Sequence, residues 1–473
     1  MGKSVVFNVV YQGLNVVFPL ISVTYVAKIL SPGGLGSVVS AQNFVSYFLM
    51  IAILGMPTYG TREIAQCGND RGRISRVFSE LVLINAVSTA LCIAVYGIVV
   101  AEYIKEDRLL YLICGLELLF NFINVDWFYR GREDFVYITI RSLIVKIILL
   151  FALFALVKDR DDCNIYALIV CLANGCNFLF NVIRLRKEVK FVFRNLNIKR
   201  HIKPLLMLLL CTVAASLYSK VDITMLGSMQ TNVSVGLYST ALKIIGITTG
   251  VVASATSVFL PRISYCYKTD KEKIDIYISK GLEMVVFISV PAAIGIAMVA
   301  PDLMAVLFGQ SYVEAHFVIK ILSPLLVIKG IGDLLCYQVL VSAGKEDKFL
   351  ISYVIAAIAN IQFNSILIPR MDYNGAAIAS VISELIVNIS LLRYSIQIVR
   401  PNIGRKFCMT ILVGSLVMSV VIKTVQSLGL SETGQLLTAV SGGCLTYLGV
   451  NLLLKNSIMQ IILEKTPFSK KQK

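Results

Sequence analysis

Long apolar runs separated by short polar connections dominate this chain of 473 residues. Fourteen runs can be drawn, each of roughly 20 residues, the length that a helix needs to cross a hydrocarbon core about 30 Å thick. The pattern therefore predicts an all-α, polytopic membrane protein with about 14 transmembrane helices. The predicted spans are 5–29, 38–57, 77–101, 109–128, 135–157, 164–184, 204–226, 235–259, 282–300, 316–341, 349–369, 374–398, 407–425 and 435–454.

Basic residues are distributed unevenly between alternate connections. Of the 44 Lys and Arg residues, seven lie in the loops after odd-numbered runs or at the adjoining run ends, and six lie deeper inside runs; the other 31 lie at the N-terminus, in or beside the loops after even-numbered runs and in the C-terminal tail. Because positively charged loops stay on the cytoplasmic side, both termini are predicted to be cytoplasmic. The seven outer residues are Lys28, Lys105, Arg108, Lys158, Arg160, Arg370 and Lys423.

The composition excludes several classes of protein. A chain that is 57% hydrophobic and 15% charged has too little charge to cover a soluble globule. The net charge of +16 is spread over separate cytoplasmic segments, so no nucleic-acid partner is expected. The 11 Cys lack paired CxxC spacing and only two His occur, so neither a metal site nor a cofactor is expected. No phosphate-binding loop or nucleophile elbow occurs, so no enzymatic activity is expected.

The chain shows signs of an internal duplication with an offset of 200 residues. Gly36 matches Gly236 and Ala41 matches Ala241 at this offset. Six helices separate equivalent positions, so the two halves would have the same orientation in the membrane. The duplication predicts two pseudo-symmetric six-helix lobes followed by a helix pair. The predicted parts are 1–200 with its basic linker, 201–400, and 401–473 with its basic tail.

Polar side chains recur at helical spacing inside the apolar runs, where they are costly unless they face protein or water. One interpretation is hydrogen bonding between helices, and another is a shared polar face that lines an aqueous cavity between the lobes. Stripes in several runs favour the cavity. They comprise Asn8, Gln12 and Asn15; Glu117, Asn121 and Asn124; Asn174, Asn177 and Asn181; Asn360 and Asn364; and Ser380, Glu384 and Asn388.

Charged residues inside the runs indicate what such a cavity would bind. Lys329 and Asp333 are four residues apart and could pair with each other. Lys220 and Asp222 are two apart on one helix, so each needs another partner. A cationic cavity would attract an anionic substrate such as a diphosphate. The intramembrane cations are Arg141 and Lys146, which could also reach the membrane edge, together with Lys220, Lys243, Lys320 and Lys329.

An ordered set of short motifs resembles one family, the bacterial polysaccharide repeat-unit flippases of the Wzx type. The resemblance covers most of residues 5–400. Its motifs are Leu30-Ser-Pro-Gly-Gly-Leu-Gly36, Gly60-Thr-Arg-Glu-Ile-Ala65, Asp126-Trp-Phe-Tyr-Arg-Gly131 followed by Arg141 and Lys146, Asp222-Ile-Thr-Met-Leu-Gly227, Val235 to Lys243, Pro261-Arg262, and Asn364 with Pro369 and Gly375-Ala-Ala-Ile-Ala379. The outer loop Lys28-Ile-Leu-Ser31 departs mildly from the family pattern, and residues 407–454 match no motif.

The resemblance implies membership of the multidrug/oligosaccharidyl-lipid/polysaccharide exporter superfamily. It implies a flippase of the bacterial inner membrane that moves undecaprenyl-diphosphate-linked oligosaccharides (O-antigen, capsule or exopolysaccharide units) to the periplasmic leaflet. A polymerase and other polysaccharide assembly proteins would be its partners. The residues expected to contact substrate are Lys220, Lys243, Arg141, Lys146, Lys329, Asn8, Gln12, Asn15, Asn174, Asn177 and Asn364.

No ATP-binding motif occurs, so transport would draw on an ion gradient, H⁺ or Na⁺, or on consumption of the product. An intramembrane carboxylate is the natural carrier of a coupling ion. Asp222 leads because Lys220 and Lys243 lie in the same run and the next, although it could simply anchor one of them. The other candidates are Asp126, Glu117, Asp333 and Glu384.

Three alternatives stay open. A drug or cation exporter of the same superfamily would favour an acidic cavity. A flippase for the peptidoglycan precursor is poorly separated by sequence. A membrane-embedded polysaccharide polymerase would need a larger extramembrane loop than this chain has.

Overall fold

The computed structural model describes residues 18–186, 188–194, 196–257 and 272–460. Within these ranges the chain is helical with no strand, and each of the fourteen apolar runs coincides with a helical segment. The prediction of an all-α polytopic protein is therefore confirmed. The predicted stripe Asn8, Gln12 and Asn15 and the motif residues Pro261 and Arg262 lie outside the described residues.

The helices follow the runs closely, mostly within a few residues. Up to Met229 they are α1 (Phe18–Ile29), α2 (Pro32–Ile53), α3 (Met56–Gln66), α4 (Arg71–Tyr103), α5 (Arg108–Asn121), α6 (Asp126–Gly131), α7 (Phe135–Leu156), α8 (Cys163–Leu185) and α9 (Lys199–Met229). After it they are α10 (Asn232–Ser257), α11 (Glu272–Phe308), α12 (His316–Leu322), α13 (Leu325–Asp333), α14 (Glu346–Ser395), α15 (Arg405–Gln426) and α16 (Glu432–Leu453). A 3₁₀ helix covers Gln310–Ala315 and a π-helix covers Leu334–Val341.

The long helices have the dimensions and surface of membrane spans. Among the described residues, nine helical stretches are long and apolar enough to cross a bilayer. Large apolar side chains face outward along them, for example Phe151 at 71% exposure and Leu416 at 66%. A soluble protein would bury side chains of this kind. The protein is therefore a multi-pass membrane protein.

Breaks in the helices occur where the local sequence allows them. The second run is divided between α2 and α3 by Leu54 and Gly55, both with positive φ, 52° and 72°. Pro57 then occupies the first turn of α3, where its missing N–H costs nothing. The chain therefore changes from α2 to α3 at Leu54 and Gly55. Runs eleven and twelve form the two arms of α14, which meet at Asp372 with φ 53° and ψ −137°.

The described residues form two compact units. The first extends to Gly227 and includes Thr231–Gly236. The second includes Ser228–Gln230 and continues from Leu237. The C-terminal helices α15 and α16 pack on α11 within the second unit. The predicted division at residues 200 and 400 stays a prediction.

Within the first unit, each of the two equivalent glycines of the predicted repeat packs against the backbone of the helix that carries the other. A Cβ on Gly36 would lie 1.7 Å from the carbonyl oxygen of Asn232, and a Cβ on Gly236 would lie 1.9 Å from that of Pro32. Pro32 and Asn232 are themselves 200 residues apart and begin α2 and α10. The reciprocal contact supports the duplication and explains why both positions lack a side chain.

The basic linker between α8 and α9 is held along α4. The N–H groups of Lys190 and Val192 donate to the Ser75 and Ser79 hydroxyls at 3.3 and 2.9 Å. These bonds satisfy backbone donors that have no helical partner.

A carboxylate completes this attachment. Glu80 is fully buried, and it accepts from the N–H of Asn197 at 2.6 Å and from Arg200 at 2.8 Å. The ring of His201 lies between Glu80 and the Tyr59 hydroxyl, 2.8 Å from each.

Candidate functional site

A buried ion pair occupies the first unit. Arg141 on α7 donates to Asp126 at the start of α6 over 3.0 Å, and its side chain is 4% exposed. Asn181 on α8 contacts both partners, accepting from Arg141 and donating to Asp126. Three helices thus supply a cation, an anion and an amide that satisfy one another. The structure compensates the charge of Arg141 within the protein, a requirement for burying it.

Amide side chains continue from this pair across α4 and α5. The Asn121 amide donates to Thr89 at 2.8 Å and to Asn85 at 3.2 Å, while Asn85 donates to the Asn121 carbonyl at 2.8 Å. Asn124 joins by donating to Asn121 at 3.2 Å. A cavity of about 170 Å³ opens beside them; it is lined by Asn85, Asn121, Asn124, Asp126, Arg130, Trp127, Met56, Pro57, Ile53 and Phe178.

A second polar cluster joins α2, α5, α8 and α9. The Asn174 amide donates to Glu117 at 3.1 Å, so residues from two predicted stripes meet here. The Lys220 ammonium donates to the Ser46 hydroxyl at 2.8 Å and attracts Glu117 electrostatically. The cluster therefore combines a cation, an anion and neutral donors in one unit, as a ligand with both phosphate and hydroxyl groups would require.

Hydroxyl and amide groups extend this cluster along α2 and α9. The Thr224 hydroxyl lies 2.8 Å from the Asn43 amide and 2.7 Å from the Tyr47 hydroxyl. Asn43, Ser46 and Tyr47 lie on one face of α2. Their spacing of three and four residues in the second run was the signal that the sequence analysis missed.

The second unit places charged residues at the junction of α13 and α14. Lys329 pairs with Glu384 at 3.7 Å, so its partner comes from another helix. Asp333 interacts electrostatically with both of them. Asn388, one turn after Glu384, packs its amide against Gly332, where a Cβ would lie 2.9 Å from the amide nitrogen. The predicted polar stripe on the twelfth run therefore faces the charged positions of the tenth.

Lys243 on α10 differs from these cations. It is partly buried, and it makes no ion pair or hydrogen bond with any residue that the structure describes. Its neighbours on the same helix, Ser239 and Ile244, are buried. A lysine on a membrane-spanning helix without a compensating carboxylate is an available cation for an anionic ligand.

The remaining predicted residues are distributed over both units. Lys146 lies 5.8 Å above the ring of Phe18. Asn177 donates to the carbonyl of Ala173 in its own helix, so it contributes less to the shared polar face. Asp222 is 8% exposed. The Asn364 amide donates to Asn360 at 3.0 Å.

An apolar cavity of about 330 Å³ lies within the second unit, between α11 and the C-terminal pair α15 and α16. Its walls are aliphatic and aromatic, and Pro291 and Gly295 on α11 provide the space. Sequence analysis found no motif in the C-terminal pair and did not anticipate the cavity. The lining residues include Phe287, Ile296, Met418, Ile422, Val440 and Tyr447.

Comparison with known families agrees with this architecture. The model described as "Polysaccharide biosynthesis protein" matches residues 1–266, and the model described as "Lipid II flippase MurJ" matches residues 135–441. Each covers more than half of the chain.

Solved structures share the fold. The lipid II flippase MurJ in its inward closed conformation has a TM-score of 0.77, with 16% identity over 96% of this chain and 100% of that chain. An inward-facing multidrug resistance MATE family transporter has a TM-score of 0.64, with 16% identity over 83% of this chain and 97% of that chain. At these identities the likeness shows the fold alone.

Curated relatives span most of the chain. A protein of Escherichia coli (strain K12) named "Putative O-antigen transporter" is 24% identical over 400 residues, which are 83% of this chain and 96% of the relative. The capsular polysaccharide biosynthesis protein CapF of Staphylococcus aureus is 23% identical over 68% of this chain and 82% of the relative. The chain therefore belongs to the polysaccharide biosynthesis protein family, as a Wzx-type member of the multidrug/oligosaccharidyl-lipid/polysaccharide exporter superfamily.

Proposed function

We propose that this protein flips an undecaprenyl-diphosphate-linked oligosaccharide from the cytoplasmic to the periplasmic leaflet of the bacterial inner membrane by alternating access. Family membership and the named O-antigen transporters among its relatives support the substrate class. A polymerase and other polysaccharide assembly proteins would then use the translocated product.

Lys243 is the observation that carries this proposal. A diphosphate is a strong anion, and a membrane-spanning lysine without a carboxylate partner among the described residues offers it a charge-assisted hydrogen bond. Lys220 adds a second cation, because its ammonium donates a hydrogen bond to a neutral hydroxyl, that of Ser46. A drug exporter for cations would gain nothing from either residue.

The remaining groups fit the other parts of such a substrate. Amides and hydroxyls such as Asn43, Asn174 and Thr224 can exchange hydrogen bonds with sugar hydroxyls. The apolar cavity beside α15 and α16 can hold part of a polyprenyl chain, because its walls present aliphatic and aromatic carbon.

Flipping assays with purified protein in vesicles test the proposal. With a fluorescent diphosphate-linked oligosaccharide, Lys243→Gln should slow translocation by about tenfold or more, since a charge-assisted bond is lost. Lys243→Arg should retain most of the rate. The matched control is Lys320→Gln, because Lys320 is an exposed lysine over the ring of Phe317. Equal rates for Lys243→Gln and the wild type would refute the role of Lys243.

We propose that a proton or sodium ion couples to the transport through Asp222, a buried carboxylate on the same helix as Lys220. Binding of the ion would neutralise Asp222, so that nearby cations would no longer pair with its carboxylate and could bind phosphate. The Asp222→Asn variant should bind the lipid substrate and lose the acceleration that an imposed gradient gives. Acceleration equal to that of the wild type would refute ion coupling through Asp222. The candidates would then be Asp126, Glu117, Asp333 and Glu384.

The membrane topology has a separate test. Both termini and the linker at residues 188–194 are proposed to be cytoplasmic, and residues 159–162 periplasmic. Single cysteines introduced into a variant without native cysteines should react with a membrane-impermeant reagent from opposite sides of the inner membrane. Labelling of both positions from the same side would contradict the proposed threading.

The match to the MurJ model favours one second candidate, the lipid II precursor of peptidoglycan. Competition between the two lipids in the same vesicles separates the candidates. Preferential flipping of lipid II would replace the oligosaccharide unit as the substrate while leaving the role of Lys243 intact.

A further inference from the structure

A small cavity of about 160 Å³ lies on the first unit, away from the polar cavity described above. It is lined by Tyr137, Ile140, Arg141 and Ile144 of α7 and by Phe180 of α8. Three of these side chains are substantially exposed: Ile140 at 47%, Ile144 at 48% and Phe180 at 45%. Since α7 and α8 are both apolar helices of membrane-spanning length, this exposed wall contacts lipid.

Two hydrogen-bond donors lie at the base of this apolar wall. The Nε of Arg141 and the hydroxyl of Tyr137 are buried, and neither has a hydrogen-bond partner among the described residues. The bonds of Arg141 to Asp126 and Asn181 use a different guanidinium nitrogen, Nη1. The two groups are neighbours, since the guanidinium lies close enough to interact with the Tyr137 hydroxyl oxygen, whose own O–H still needs an acceptor. An acyl chain could not satisfy them, because hydrocarbon has no acceptor.

The depth of the cavity indicates which part of a lipid reaches it. Arg141 lies six residues after Phe135, the first residue of α7, so it is about 9 Å from the helix start. The segment before α7 carries Arg130, in the last turn of α6, and Arg132, which the positive-inside rule assigns to the cytoplasmic side. The donors therefore lie just below the headgroups of the cytoplasmic leaflet.

We propose that this cavity binds one glycerophospholipid of the cytoplasmic leaflet. A phosphate oxygen would accept from Arg141 Nε and the Tyr137 hydroxyl, and an acyl chain would pack along Ile140, Ile144 and Phe180. The oxygen completes the coordination of a guanidinium that Asp126 only partly saturates. The bound lipid would be a fixed component of the first unit and would not be transported. The proposal is independent of the transported substrate.

Native mass spectrometry of the purified full-length protein tests the site, with phosphatidylglycerol as the probe. Ile144→Trp fills the cavity with a bulky ring. Ile148→Trp is the matched control, because Ile148 lies one turn further along the same exposed face and does not line the cavity. Ile144→Trp should abolish the high-affinity one-to-one adduct, and Ile148→Trp should retain it.

Tyr137→Phe removes one donor without changing the volume of the cavity. Its affinity for phosphatidylglycerol should fall by about tenfold, the typical loss for one bond to a charged acceptor. Diacylglycerol, which has no phosphate, should form no adduct of comparable affinity. Equal affinities for the wild type, Ile144→Trp and Tyr137→Phe would overturn the proposal. Displacement of the adduct by a polyprenyl diphosphate at lower concentrations than by phosphatidylglycerol would overturn it too, since the carrier lipid would then be the occupant.

Discussion

The two halves of the chain attach their interhelical linkers in the same way. In the first half, the N–H groups of Lys190 and Val192 donate to side-chain oxygens of Ser75 and Ser79 on α4. In the second half, the N–H groups of Arg400 and Asn402 donate to Asp275 and Ser279 on α11, at 3.0 and 2.9 Å. Ser75 and Ser79 are 200 residues before Asp275 and Ser279. The same pair of contacts, one helical turn apart, thus recurs in both halves.

The charges inside the two halves differ far more than the scaffold. The first half buries Arg141 beside Asp126 and Asn181, which both bond to one nitrogen of its guanidinium. The second half has a half-exposed Lys329 at 3.7 Å from Glu384, and Lys243 has no ion pair with a described residue. We infer from this difference that the ion pair of Arg141 and Asp126 stabilises the fold, whereas Lys243 and Lys329 in the second half remain available to a ligand.

The largest effect is expected from breaking the buried pair. Arg141→Met leaves Asp126 without its cation and should destabilise the protein by about 3 kcal/mol, as measured for one-sided removal of buried ion pairs. Lys329→Met should cost about 1 kcal/mol or less, because Lys329 is 41% exposed. Unfolding in detergent, followed by tryptophan fluorescence and circular dichroism, measures both. If the two variants lose similar amounts of stability, the proposed distinction between the halves is wrong.

The reciprocal glycines test the symmetry of the repeat. Gly36→Ala and Gly236→Ala each place a Cβ within 2 Å of a backbone carbonyl oxygen that cannot move freely. Each should therefore cost about 1–3 kcal/mol of stability, by similar amounts. Gly97→Ala is the control, because nothing lies within 4 Å of its Cβ position, and it should stabilise α4 by about 0.5–1 kcal/mol. A large loss at only one of the two glycines would contradict the symmetric packing.

The linkers are expected to differ in strength because Glu80 reinforces only the first. Glu80→Gln removes the charge that holds Asn197, Arg200 and His201, and should cost about 2 kcal/mol through weakened charge-assisted bonds. Trypsin should then cut the linker at Lys190 or Arg194 faster than in the wild type. Asp275→Asn is the matched change in the second half and should accelerate cleavage at Arg405 less, because Asp275 holds the linker through the N–H of Arg400, whereas Glu80 also binds Arg200 and His201. Faster cleavage in Asp275→Asn would reverse the comparison.

The smallest effect concerns the turn between α7 and α8. The N–H groups of Lys158 and Asp159 both donate to Asp162 at 2.8 Å, which lowers the pKa of that carboxyl below its ordinary value of 3.8. Because the pKa is lowered in the folded state, the stabilisation is present above pH 3.8 and is lost as the pH falls through the lowered pKa. As the pH falls, the amides of Lys158 and Asp159 should lose protection from hydrogen exchange. The amide of Tyr166 should lose less, because its N–H donates to the Asp162 backbone carbonyl, which does not titrate. If the amides of Lys158 and Asp159 stay equally protected down to pH 2, the Asp162 carboxylate does not stabilise this turn.

The sequence by itself determined the helices and their order. Apolar runs of membrane length leave no alternative to helices, because every backbone group must be bonded within the bilayer. The offset of 200 residues was also visible, since Gly36 and Gly236 recur for a local steric reason. The stripes indicated which helix faces are polar, and the ordered motifs indicated the family.

Only the tertiary structure decided which polar residues neutralise one another. Spacing allowed Lys329 to pair with Asp333, yet Lys329 forms an ion pair with Glu384 on another helix. Arg141 was expected to contact substrate, and the fold surrounds it with Asp126 and Asn181 from two other helices. Pairing between helices depends on their rotation and depth relative to each other. Packing of whole helices sets those quantities, and the periodicity of one helix carries no information about them.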